Sequence, residues 1–98
     1  MNTDRSGGFV IAPGGDIVAS MAVTFKEKLR DAVREHPGGL TIDMAGVGLI
    51  DSVGLGLLVA THNSLSKAGG KLTLVNTGGD VLSLLRAMRL DKHFQVVT

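Results

Sequence analysis

The chain has 98 residues, 44% of them hydrophobic, and ten basic side chains against nine acidic ones leave a formal net charge of +1. That length suits one domain with one core, and the apolar fraction is too high for an intrinsically disordered chain. With no cysteine there is no disulfide framework, thiolate nucleophile or cysteine-ligated metal. The basic residues are dispersed among only three aromatics, which argues against a nucleic-acid partner.

The fourteen glycines fall in close pairs that punctuate the chain and mark most of its turns. Residues 9–12 read as a strand ended by Pro13-Gly14-Gly15, and residues 16–19 as its hairpin partner. Thr24 and Glu27 have capping-box spacing, with a helix start near Ser20 as the alternative. Phe25, Leu29, Ala32 and Val33 form one apolar stripe of that helix, and Lys26, Glu27, Arg30, Asp31 and Arg34 its polar side. His36-Pro37-Gly38-Gly39 ends it.

Residues 40–44 form a third strand, apolar on both faces as inside a helix-covered sheet. After a glycine-spaced loop and Asp51-Ser52, a helix runs to Lys67 with Leu55, Leu58, His62 and Leu65 on one face. Gly69-Gly70 caps it, and residues 72–75 are a strand. Residues 80–89 follow as a short helix with Val81, Leu84, Leu85 and Met88 inward, and residues 94–97 as an edge strand. The order β-β-α-β-α-β-α-β predicts a mixed, largely parallel sheet in a single domain spanning residues 1–98. Its ordered core covers about 8–97, with loose ends at the first seven residues and the last one or two. The first residues lack a signal-peptide pattern, and the apolar run at 53–60 is too short to cross a bilayer. A cytoplasmic protein with no membrane insertion is expected.

Enzymatic chemistry finds little support. Gly69-Gly70-Lys71 follows a helix instead of preceding one, so it is not a phosphate-binding loop, and two Gly-x-Gly pairs lack the rest of a dinucleotide fingerprint. His36, His62 and His93 lie in different elements without metal-ligand spacing. Ser52 and Asp51 lack the Gly-x-Ser-x-Gly context of a hydrolase. The expectation is a binding protein, not an enzyme, without metal or cofactor.

One polar pair is placed for function. Asp51-Ser52 interrupts an apolar passage where loop gives way to helix. Either side chain can serve as an N-cap. The same geometry would leave a serine hydroxyl exposed where the helix dipole favours an attached phosphate.

The run from Ile42 to Gly56, with Asp43, Asp51, Ser52, Val53 and Gly54 inside it, resembles the signature of the STAS domain, most closely that of bacterial anti-sigma factor antagonists. Gly15-Asp16-Ile17, the stretch from Gly69 to Asn76 and Leu90-Asp91-Lys92-His93-Phe94 fall where that family has them, so the similarity covers about residues 8–97. The resemblance implies a compact α/β fold, a four- to five-stranded mixed sheet with helices packed on one side. It implies binding to an anti-sigma factor that is also a GHKL-type serine kinase, with reversal by a PP2C-like phosphatase. By position, Ser52 is the phosphoacceptor, and Asp16, Asp43, Asp51, Ser52, Val53 and Gly54 are partner-binding, Gly54 letting the helix start lie close to the partner. Two positions depart from the family: Val53 stands where a second serine is usual, and Val18 where an acidic residue is common. An alternative of another class is a non-catalytic STAS subunit of a lipid-transport ABC complex.

Overall fold

The computed structural model describes residues 9–97. Four strands and three helices alternate: β1 (Phe9–Ile11), α1 (Ala19–Glu35), β2 (Gly39–Asp43), α2 (Ser52–Lys67), β3 (Lys71–Val75), α3 (Gly79–Ala87) and β4 (Gln95–Val96), with a 3-10 turn at Leu90–Lys92 before the last strand. The sheet order is β1-β2-β3-β4 and every pairing is parallel. Each helix thus carries the chain to the next strand over. Because such crossovers are right-handed, all three helices cover the same face of the sheet.

Register places Phe9, Ile11, Leu40, Ile42, Leu72, Leu74 and Val96 on that face. Leu40, Ile42, Leu72 and Leu74 are at most 2% exposed. Phe25, Leu29 and Ala32 from α1, Leu58 and Leu65 from α2, and Val81 and Leu85 from α3 close over them. At about 2 kcal/mol for each large side chain removed from water, this cluster dominates the stability of the domain.

The predicted hairpin does not form. Gly14 turns the chain with φ +74°, but residues 16–19 do not return to pair with β1. Instead Ile17 makes a parallel bridge to Ile50, its N–H bonding Leu49 O at 3.0 Å and its carbonyl accepting from Asp51 N at 3.3 Å. Ile17 is fully buried there, a burial that pairing at the sheet edge would not supply. The sheet of the described residues is consequently parallel, not mixed. The capping-box spacing at Thr24 and Glu27 lies inside α1, which starts at Ala19.

On α2 the buried stripe is Gly54, Leu58, Thr61 and Leu65, leaving Leu55 and His62 at its half-buried border. Thr61 tolerates burial because its hydroxyl donates to Leu57 O at 2.7 Å. Helix α3 stops at Ala87, and Arg89 turns the chain with φ +59°. Met88, expected to face inward, is therefore 55% exposed. The loose ends expected at residues 1–7 and at Thr98 lie outside the described residues.

Candidate functional site

Parallel strands deliver their connecting loops to one end of the sheet, and there the acidic residues singled out in the sequence are drawn together. Asp51 is the N-cap of α2, with extended backbone. One carboxylate oxygen, Oδ1, accepts from Gly54 N at 2.8 Å. The other, Oδ2, accepts from Ala19 N at 2.9 Å. A single side chain thus caps two helices whose first turns are otherwise orphan donors. This explains why Val18, the N-cap of α1, needs no polar side chain of its own.

Asp16 and Asp43 do similar work in the neighbouring loops. Asp16 Oδ1 accepts from the amides of Gly48 and Leu49, each at 3.1 Å. Asp43, the last residue of β2, accepts from Ala45 N at 3.0 Å and from Asn76 Nδ2 at 2.9 Å. Asn76 has no role in the sequence pattern beyond closing the stretch that begins at Gly69. It sits just after β3 with φ +55°, a conformation Asn tolerates better than most residues. An Asn directly behind a strand and ahead of Thr77-Gly78-Gly79 is the signal that could have found it.

Ser52 is the first residue of α2 and is exposed, as is Val53 at 45%. Leu49, at 56%, adds a second apolar side chain in solvent on the loop just before. Gly54 packs inside the domain. It is buried, and a methyl group built on it would overlap the carbonyl oxygen of Ile17. Its missing side chain brings α2 close to the Ile17 segment of the same chain, so Gly54 serves the packing of α2 within the domain.

Hydrogen bonds also set the electrostatics. The amides of Gly54 and Ala19 hold the Asp51 carboxyl below the ordinary aspartate range. The Asn76 side chain, and then the Ala45 amide, do the same for Asp43. A carboxyl whose value falls on folding stabilises the native state above the unfolded value, and that contribution is lost as pH falls through the folded one. The urea midpoint should thus decline below about pH 4. Asp51→Asn and Asp43→Asn should start lower at pH 7 and converge with the wild type near the acid end. A gap that stays constant from pH 7 to the acid end would show that these bonds do not supply it.

The histidines stay out of this end. His36 stacks on Phe9 at 4.5 Å. His62 meets His93 at 5.8 Å and Phe94 at 5.7 Å, between α2 and the segment before β4. Among the described residues no three His, Asp or Glu side chains gather as a metal site, and no helix is long and apolar enough to cross a membrane.

Comparison with known proteins agrees with this geometry. The chain matches the STAS domain over residues 1–98. It is 31% identical to the anti-sigma-F factor antagonist RsfB of Mycobacterium tuberculosis over 93 residues, 95% of this chain and 75% of that protein. The crystal structure of an anti-sigma factor antagonist from Mycobacterium paratuberculosis superposes with a TM-score of 0.83 at 28% identity, covering 99% of this chain and 82% of that one. The Bacillus cell fate determinant SpoIIAA in its phosphorylated form shares the fold, with a TM-score of 0.70 at 18% identity over 91% of this chain and 81% of that one. A parallel sheet helix-covered on one face, an exposed serine opening its second helix and these likenesses together place the chain in the STAS domain family, among the anti-sigma factor antagonists.

Proposed function

We propose that this chain is a partner-switching protein that binds a serine-kinase anti-sigma factor and is controlled by reversible phosphorylation of Ser52. The observation that carries this reading is an exposed serine at the first position of α2, directly behind the Asp51 cap. Likeness to RsfB, and to a SpoIIAA solved with its phosphate, supports it. Asp16, Asp43 and Asp51 shape this end from within by holding its loops and helix starts, while Ser52 and Val53 are offered to the partner.

In the proposed reaction Ser52 Oγ attacks the γ-phosphorus of ATP held by a GHKL-type kinase. The bond from that phosphorus to the β-phosphate oxygen breaks, ADP leaves, and the hydroxyl proton passes to a base on the kinase. A PP2C-like phosphatase returns the serine by hydrolysis: water attacks the phosphorus, the bond to Ser52 Oγ breaks, and inorganic phosphate leaves. The kinase step draws on ATP, which fits an exchange in the cytoplasm.

The phosphate would bring about −1.5 to −2 charges to a helix start. Within the domain the cost is small, because the dipole and amides of the first turn favour an anion. A partner packed over the site instead meets like charge and a desolvation penalty. The switch therefore acts on the complex and spares the fold.

Incubation with ATP and the kinase, followed by intact-mass measurement, tests the acceptor. One phosphate is expected on the wild type and none on Ser52→Ala. A phosphate that persists in Ser52→Ala would refute the assignment.

A further inference from the structure

Where α1 and α2 lie side by side, their outer surface carries a groove of about 170 Å³. Lys26, Arg30 and Val33 line it from α1, and Leu57, Ala60 and Ser64 from α2. Each set recurs at helical spacing, so each marks a stripe along its own helix. One turn further toward the N-termini, the stripes reach Val23, three residues before Lys26, and Val53, four before Leu57. Both are large apolar side chains left in solvent, 75% and 45% exposed.

The two helices start together, since Ala19 and Gly54 bond to one carboxylate. The apolar strip therefore runs from beside Ser52 down into the groove. Its charge is one-sided. The ionisable side chains lining it, Lys26 and Arg30, are both cations, and α2 adds neutral groups only. Farther round α1, Asp31 is engaged with Arg34 at 3.7 Å. The N-terminal ends of both helices add positive potential at the upper mouth.

We infer that this groove receives an amphipathic helix of the partner, its apolar side inward and its carboxylates against Lys26 and Arg30. The inference rests on the Ser52 reading and extends it. From Val23 to Val33 the strip is about 15 Å long at 1.5 Å per residue, room for about three turns of a docked helix. A phosphate on Ser52 stands at the upper mouth, beside Val53, and repels the near end of that acidic helix. One modified serine can thereby dislodge a partner spread over two helices.

Calorimetric titration of the full chain with its cognate kinase at two salt concentrations tests this. The double variant Lys26→Glu/Arg30→Glu should lose at least about tenfold in affinity and much of its salt dependence. Ala60→Glu, at an exposed position inside the groove, should lose a similar amount. Lys71→Glu/Lys92→Glu, outside the groove, should bind as the wild type does. Wild-type affinity in both groove variants, with wild-type binding and Ser52 phosphorylation intact, overturns the groove alone. A wild type that neither binds nor is phosphorylated overturns the Ser52 reading and the groove with it. A dimer in sedimentation that Ala60→Glu disrupts assigns the groove to a second copy and also overturns the proposal.

Discussion

Ser52→Asp is expected to weaken binding to the cognate kinase about 5- to 150-fold, the equivalent of about 1–3 kcal/mol. Its circular dichroism and urea midpoint should match those of the wild type. The two halves of the prediction have separate causes. Ser52 is exposed at the start of α2, where a negative side chain faces the favourable end of the helix dipole. Within the domain the substitution is therefore neutral or slightly stabilising. In the complex, the same carboxylate must shed water beneath the partner and finds no cation of its own chain beside it at Asp51 or Val53. Ser52→Ala separates charge from the loss of the hydroxyl: it should bind within a few-fold of the wild type and resist phosphorylation. Equal affinity for Ser52→Asp and wild type in calorimetry would remove Ser52 from the interface.

The second large effect concerns two glycines, two positions apart in α2, that respond in opposite directions. Gly54→Ala should cost about 3 kcal/mol, because the added methyl collides with the Ile17 carbonyl, and backbone yields less readily than the end of a side chain. Relief would require α2 to move off Ile17, loosening the Ile17–Ile50 bridge and the Asp51 bonds that depend on it. A loss of that size should lower the melting temperature by more than about 10 °C in a domain of this length. Gly56 is exposed, and a methyl there meets nothing within 4 Å. Gly56→Ala in the helix interior should instead raise stability by about 0.5–1 kcal/mol, by reducing the freedom of the unfolded chain. Urea midpoints of the two variants, measured side by side, check both signs. If both variants shifted stability in the same direction, the close approach at Gly54 would not be what the glycine serves.

Gly54, buried against Ile17, belongs to the mounting on which the exposed Ser52 stands. Asp51 belongs to the same mounting. Its two oxygens hold the first turns of α1 and α2, so the serine next to it stands on a platform of two helices. Under the proposed switch, such support would let the site change charge without unfolding, so that an added phosphate would act on the interface alone.

Local patterns sufficed for the three helices, for the four strands of the sheet and for the place of Ser52. Apolar periodicity, glycine stops and the Asp-Ser break are properties of neighbouring residues, so they survive without knowledge of the fold. Contacts between residues distant in sequence decided the rest. Residues 16–19 have the composition of a hairpin strand, yet Ile17 is worth more buried beside Ile50 than paired at an edge. The cap of α1 comes from Asp51, 32 residues away, and the partner of Asp43 is Asn76, 33 residues away. The cationic groove arises only when two helices from separate stretches lie together. Short-range propensity dictated where the chain turns and coils, whereas burial and hydrogen bonding across the folded domain chose which loops close on which, because those energies exist only once the elements have met.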